Sequence, residues 1–398
     1  MRHTPRRFRA SLWIACASLA LAQKPAVETA WQLIAQGKQE QAVTLLRNLI
    51  QGEPRNADAR LLLGSLLMEN GQRAESIAQL SEAVKLLPKS AEAHNALGEA
   101  YSTFGETAAA RPEFERAVVL DPRHAQAHVN LAAILLQQGD APRAIPHLDT
   151  AIRLFGRRPD AAHPHYLRAK IYSEERDAAK AASELQQAVD LRPDYAEAWS
   201  DLGEAHKNLS DDKGALSAFR RAITLSPEDP VAQARLGSEL LDTGAVHEAV
   251  VHLDEAVRLD PKNQSALNAL QRALRQDGQV ERAEAAKKKL AELIRERDVA
   301  DQKLVAATEI NNRGAELEKA GDVRGALEKY RAALALLPEH VGMRVNLAVA
   351  LLKLGNWEQG ISQMRLALLR DPNSTIVQKA LEDALAQAKA HGIIVPEP

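Results

Sequence analysis

Apolar residues recur along this chain at three- and four-residue steps, as in Leu63, Leu66 and Leu67 or in Leu131, Ile134 and Leu135. That spacing gathers them on one face of an α-helix and leaves polar residues on the other. The periodic stretches are short, and each is closed by a turn signal. Gly stands at Gly37, Gly71, Gly105, Gly139, Gly244, Gly278, Gly321 and Gly355, and Pro at Pro54, Pro88, Pro122, Pro159, Pro193, Pro227, Pro261, Pro338 and Pro372. Gly ends a helix well because it enters the left-handed conformation without steric cost. Pro cannot continue a helix. The pattern predicts one helix ending at Gly, a second ending at Pro, and this pair repeated along the chain.

The repeat step is 34 residues almost throughout. It lengthens to 37 once, through "FGRRPDAAHP", and Pro261 to Pro338 spans one step of 34 and one of 43. Two further marks keep the same register. Ala recurs at Ala42, Ala110, Ala144, Ala181, Ala215, Ala249, Ala283 and Ala326. A small residue recurs at Gly64, Gly98, Ala132, Ala169, Gly203, Gly237, Gly314 and Ala348. A mid-helix Gly costs about 1 kcal/mol against Ala, so its return in one register implies close helix–helix contact.

These marks resemble the tetratricopeptide repeat family, whose pattern is aromatic-x2-Leu-Gly-x2-Tyr, then Ala-x3-Phe, then Pro. The best copy is "WSDLGEAHKNLSDDKGALSAFRRAITLSP", with Trp199, Leu202, Gly203, Ala215, Phe219, Ala222 and Pro227 at the marks. Ten copies are expected, starting near Gln23, Ala57, Ala91, Ala125, Ala162, Ala196, Pro230, Gln264, Ala307 and Val341. The resemblance implies an all-α fold, an α-solenoid of helix-turn-helix units wound as a right-handed superhelix and closed by a C-terminal capping helix. Some positions depart from the pattern: Arg168 and Arg313 at the Leu position, Gln271 at the small one and Lys287 at the Phe one. Copy eight is the weakest, with Arg295 where the terminal Pro belongs.

From Gln279 to Arg313 there is neither Gly nor Pro, and "ERAEAAKKKLAELIRERDVADQKLVAATE" favours helix throughout. The expectation is an extended second helix in copy eight, fused to the first helix of copy nine and about 50 Å long. A break at Asp298 or Asp301, either able to cap a new helix, is the alternative. The expected organisation is residues 23–297 for copies one to eight, 298–306 as helical connector, 307–374 for copies nine and ten, 375–390 as capping helix and 391–398 as a flexible tail.

Residues 1–22 read differently. "MRHTPRRFR" carries Arg2, Arg6, Arg7 and Arg9 without an acid, "ASLWIACASLALA" is apolar, and Ala20–Ala22 has the small-x-small form of a cleavage site. Together these read as a secretory signal peptide cut after Ala22. The apolar run is too short to span a bilayer, which takes ~20 residues. A twin-arginine signal through Arg6 and Arg7, a lipoprotein cysteine at Cys16 and an uncut leader are the alternatives. Cys16 is the single cysteine, so a mature chain would have no disulfide, thiol nucleophile or Cys metal site.

Composition narrows the function classes. Hydrophobic residues make up 45% of the 398 and charged ones 26%, which is enough to build a core. A net charge of −2 gives no basic stripe for nucleic acid. Lys287–Lys289 sit among as many acids as bases and read as a solvated helix. There is no Gly-rich phosphate loop and no G-x-S-x-G, and no segment is left over for a catalytic domain. "HEAVVH", His247 to His252, steps by five, which turns the second ring about 140° from the first and breaks the zinc-protease geometry. His94, His128 and His165 occupy the slot of Trp199 and read as flat half-polar rings filling an aromatic position. His124 with His128, and His163 with His165, could form at most a weak metal site. "NLS" at Asn208 and "NST" at Asn373 match a short, common glycosylation pattern.

The resemblance also implies a concave groove lined by the first helix of each repeat. Carried over by position, it would display Asn95, Glu99, Asn130, Tyr166, Lys170, Asp201, Glu204, Lys207, Arg235, Asn312 and Asn346. Asn130, Asn312 and Asn346 share one repeat position and are similar to the asparagine ladder with which some members hold a peptide backbone. The ladder is interrupted by Ala96, Leu167, Asp201, Arg235 and Ala269. The expected function is a non-enzymatic protein–protein interaction scaffold, exported to the cell envelope as a periplasmic or secreted protein. It would bind a peptide or partner protein and no nucleic acid, small-molecule ligand, metal or cofactor, and its mature chain would have no membrane span. The alternatives are an assembly factor docking to a secretion, pilus or outer-membrane complex through helix edges or the tail His391–Pro398, and a cytoplasmic adaptor if the leader stays.

Overall fold

The computed structural model describes residues 25–372 and 374–393. The expected leader at 1–22, Cys16, Asn373 and most of the expected tail lie outside them. Among the described residues there are twenty α-helices, one short 3-10 turn and no strand. They fall into two compact units, divided between Gly244 and Ala245.

The first unit runs α1 (Pro25–Ala35), α2 (Gln39–Gly52), α3 (Ala57–Glu69), α4 (Arg73–Leu86), α5 (Ala91–Thr103), α6 (Thr107–Leu120), α7 (Ala125–Gln137) and α8 (Ala141–Phe155). The three extra residues of the 37-residue step form a 3-10 turn, Pro159–Ala161. Then come α9 (Ala162–Glu174), α10 (Ala178–Leu191), α11 (Ala196–Asn208), α12 (Asp212–Leu225) and α13 (Pro230–Asp242). The second unit runs α14 (Val246–Leu259), α15 (Gln264–Gln276), α16 (Val280–Lys319), α17 (Val323–Leu336), α18 (Val341–Lys353), α19 (Trp357–Arg370) and α20 (Thr375–Ala390).

Each hairpin turn is built the same way. The Gly closing the first helix has φ between 72° and 87° at Gly71, Gly105, Gly139, Gly278, Gly321 and Gly355. The residue after it caps the second helix where it can: Asp140 accepts from the Arg143 N–H and Asp322 from the Gly325 N–H. In two repeats the Gly is missing, and Arg176 (φ 61°) and Ser210 (φ 59°) hold the left-handed conformation instead. A side chain there costs roughly 1–2 kcal/mol. Arg176→Gly and Ser210→Gly are therefore each expected to stabilise by about 0.5–1 kcal/mol, after the extra chain entropy of Gly. Denaturant midpoints check this, and a fall in midpoint would contradict it.

The small position is explained by the residue sixteen further on, across the hairpin. A Cβ on Gly98 would lie 2.6 Å from Phe114 Cε1, one on Gly203 2.5 Å from Phe219 Cδ1, and one on Gly314 2.7 Å from Tyr330 Cε1. Where the small residue is Ala132, Ala169 or Ala348, the facing side chain is Leu148, Leu185 or Met364, all buried. Gly takes the ring and Ala takes the aliphatic chain, so the sum of volumes is held near native packing. Gly64, which faces Leu80, departs from this, and the Ser76 hydroxyl donates to its carbonyl at 2.8 Å; Gly237 departs from it in sequence too, with Leu253 sixteen residues on. Copy eight gives up the pairing at both ends, with Gln271 facing Lys287 in sequence.

The second unit holds the longest element. α16 runs unbroken through Asp298 and Asp301 for 40 residues, about 60 Å. Its first part packs on α15 and buries Ala283 and Ala286; its last part packs on α17 and buries Ala307 and Gly314. Every residue from Ile294 to Val305 is exposed. That stretch is held by helix propensity and by its continuity with two packed ends.

Candidate functional site

The histidine slot is settled by what its ring nitrogens meet. Six residues before the slot stands the terminal Pro of the preceding repeat, whose carbonyl the turn leaves without a helical donor. The slot supplies one. Pro54 O accepts from Arg60 Nε at 2.9 Å, Pro88 O from His94 Nε2 at 3.3 Å, and Pro122 O from His128 Nε2 at 3.1 Å. Pro193 O accepts from Trp199 Nε1 at 3.0 Å, Pro227 O from Gln233 Nε2 at 2.9 Å, and Pro338 O from Arg344. In these six repeats the slot provides an N–H donor on a side chain long enough to reach back, an aromatic ring being one way to do so. Leu267, six residues after Pro261, provides none, and Pro159 O accepts from the Ala162 backbone N–H. Among the described residues no group of three His, Cys, Asp or Glu is placed to hold a metal ion.

The inner face is a different matter. In the first unit, first helices of successive repeats touch one another, α3 with α5, α7 with α9 and α11 with α13. Their facing side chains join across the repeats. Asn130 Nδ2 donates to Asn95 Oδ1 at 3.0 Å and to Glu99 Oε1 at 2.8 Å, and Asn95 Nδ2 donates to the same Glu99 oxygen at 3.0 Å. Asn95 is buried, whereas Glu99 and Asn130 are half-buried. Burial pushes the Glu99 carboxyl above its ordinary value, against the pull of the two amide donors.

Further along, Tyr166 Oη donates to Asp201 Oδ2 at 3.1 Å, and Arg235 Nη1 donates to Asp201 Oδ1 and Ser200 Oγ, both at 2.8 Å. Burial first, and then Asp201, pushes the Tyr166 hydroxyl far above its ordinary value. Lys207 Nζ lies 3.0 Å from both Glu239 Oε2 and Asp242 Oδ2. Burial lowers its pKa, but the two carboxylates outweigh that and raise it. Glu204 lies 4.0 Å from Arg235, and Lys170 is exposed with its ammonium 5.9 Å from the Tyr166 ring centre. In the second unit, Asn346 Nδ2 donates to Asn311 Oδ1 at 3.0 Å and Lys353 Nζ to Glu318 Oε1 at 2.7 Å.

Of the sequence-derived positions, the structure joins Asn95, Glu99 and Asn130 in one cluster and Tyr166, Asp201 and Arg235 in another. Asn312 is exposed, and Asn311, one residue earlier, is the one that meets Asn346. The rungs step by 35 residues: Asn95 to Asn130, Tyr166 to Asp201, Ser200 to Arg235, Asn311 to Asn346, and likewise Lys207 to Asp242 and Glu318 to Lys353. Neighbouring first helices are offset by one residue, so most contacts fall one position beyond the repeat length, although the same-position pair Asp201 and Arg235 also meets. Ser200, Asp242, Asn311, Glu318 and Lys353 were missed for that reason, and Glu239, 32 residues from its partner Lys207, lies outside the ladder position altogether.

Comparison with known proteins agrees with the geometry. Two tetratricopeptide repeat family models match the sequence, one over residues 33–100 and 317–388 and the other over residues 95–162 and 166–230. The chain belongs to the tetratricopeptide repeat (TPR) family. A search among curated proteins gives no match. Among solved structures the chain is similar to a TPR protein from Parabacteroides merdae ATCC 43184, at 14% identity over 63% of this chain and 97% of that one, with a TM-score of 0.46. It is similar to the C-terminal part of a TPR repeat-containing protein from Cytophaga hutchinsonii, at 16% identity over 61% and 99%, TM-score 0.45. It is also similar to MamA, residue 41 to the end, from Desulfovibrio magneticus RS-1, at 21% identity over 44% and 97%, TM-score 0.40. TPR membership points to protein partners and to an interaction scaffold. No described helix is long and apolar enough to cross a membrane.

Proposed function

We propose that this TPR protein is an exported, non-catalytic scaffold that holds an extended peptide or partner segment along the first-helix face of its first unit. The observation that carries the reading is the polar strip from Asn95 to Arg235. Its side chains form two clusters, each tied across repeats, buried or half-buried and pre-oriented, so a ligand backbone meets fixed donors and acceptors with little side-chain ordering left to lose. Lys170 and Glu204 stand beside the strip without being rungs of it, and supply charges for contacts with partner side chains. Export rests on the basic, apolar and small-residue sequence of residues 1–22.

The test uses the whole gene product. Expressed with its leader, the protein is expected in the envelope fraction with Gln23 as its first residue. A variant carrying Lys170→Glu and Glu204→Lys is expected to keep its helicity and to lose most partner binding. Retention in the cytoplasm with Met1 intact would remove the export half of the proposal. Unchanged partner affinity in the variant would remove the groove half.

A further inference from the structure

In the second, third, fifth and tenth repeats the slot residue is also braced from the second helix, nineteen residues on, whereas Trp199 of the sixth has Ala218 there. Gln79 accepts from Arg60 Nη1 at 2.6 Å, and Gln363 accepts from Arg344 Nη1 at 2.8 Å. Glu113 lies 2.6 Å from His94 Nδ1, and Glu184 lies 2.7 Å from His165 Nδ1. The fourth repeat has neither amide nor carboxylate at that position. There His128 Nδ1 faces His147 Nδ1 at 2.8 Å, with ring centres 5.1 Å apart.

The hydrogen bonds fix the tautomers. Pro122 O only accepts, so His128 Nε2 carries a proton and its Nδ1 is bare when the ring is neutral. His147 Nδ1 must then carry the single proton that joins the rings. We propose that this contact makes the α7–α8 hairpin an acid-operated joint inside the first unit. A first added proton can enter at the outer Nε2 of half-buried His147 and leaves the bridge in place. A second must enter at His128 Nδ1, and it sets two N–H groups face to face at hydrogen-bond distance, so the helices part. The pair titrates as a unit, and its opening is steeper in pH than a single imidazole would give.

The surroundings favour this outcome. His128 is 8% exposed. The charged groups that act on the pair are Asp121 and His124 from the turn before α7, Arg153 from α8 and Glu115 from α6. Burial pulls His128 below its ordinary value, with His124 and Arg153 adding to the fall and Pro122 O and Asp121 opposing it. Burial and then His128 pull His147 down, against Glu115. Groups that bind protons less readily when folded contribute stability that is full above the free imidazole range and is lost as pH falls through it. In the flanking repeats the slot histidine faces a carboxylate in place of a second ring. A proton on His94 or His165 turns its contact with Glu113 or Glu184 into an ion pair.

Hydrogen exchange of the full-length protein, corrected for intrinsic rates and followed from about pH 7.5 to about pH 5, tests the joint. Protection across α7 and α8 is expected to fall severalfold, with more than one proton in its pH slope, while α5–α6 and α9–α10 keep theirs. His147→Glu copies the pair that folds in the third and fifth repeats and is expected to abolish the fall. His147→Gln, the partner used in the second and tenth repeats, removes one titrating ring and should flatten the slope. Full protection of α7–α8 at acid pH, equal loosening of all hairpins, or an unaltered response in His147→Glu would each overturn the proposal.

Discussion

Replacing Phe219 with Ala is expected to destabilise the sixth repeat by about 3–5 kcal/mol, the cost of emptying a fully buried ring site. Gly203→Ala is expected to cost about 1–3 kcal/mol, because the new Cβ would sit 2.5 Å from the same ring. Together with Phe219→Leu, however, Gly203→Ala recreates the Ala169–Leu185 pair of the fifth repeat. The double variant should recover most of the loss and gain the better helix propensity of Ala. Neighbours in contact are where additivity fails, so a double-mutant cycle on denaturant midpoints reads the coupling directly. Additive costs would mean that the two positions are not matched in volume. Because repeats are stabilised largely by their neighbours, the unfolding of Phe219→Ala should begin in α11 and α12 and need not be all-or-none.

Ala300→Pro should break α16 at its bare middle. An interior proline costs about 3 kcal/mol through a lost hydrogen bond and a steric clash with the preceding turn. All of Ile294 to Val305 is exposed, and a cross-helix hydrogen bond from Arg297 Nη1 to Gln264 Oε1 at 3.2 Å is too little to compensate. Hydrogen exchange of peptides from 294 to 305 should lose protection, while the stretches on α15 and α17 keep theirs. Ala300→Gly should produce a smaller loss, about 1 kcal/mol. Loss of protection spreading through α15 and α17 would show that the middle of α16 is what holds both ends.

Much of the fold is legible in the chain because each repeat mark answers a local demand. Gly at Gly71 or Gly139 reports a left-handed residue, and Pro at Pro88 or Pro122 reports a helix that must stop. The paired departure of Gln271 and Lys287 already hints that the small and large positions are matched. Arg176 and Ser210 were illegible as turn residues, since neither type announces a positive φ. The histidines were legible as structural, but their reason was not: the common property of Arg60, His94, Trp199 and Gln233 is a donor six residues after Pro, which a search for flat rings passes over. The asparagine ladder was read one residue out. Sequence periodicity gives the repeat length of 34, while the contacts also depend on the stagger between neighbouring first helices, which makes the rung 35.

Partner binding along the first-helix face is tested most directly by site-specific crosslinking. A photo-crosslinking residue would be placed singly at Lys170 or Glu204 on the first-helix face, and at Lys213 or Gln186 on the second helices, in the full-length protein in its own cells. The account predicts that Lys170 and Glu204 capture one and the same protein partner and that Lys213 and Gln186 do not. Capture of that partner at Lys213 or Gln186, with silence at Lys170 and Glu204, would place the docking surface on the opposite helices and contradict the account.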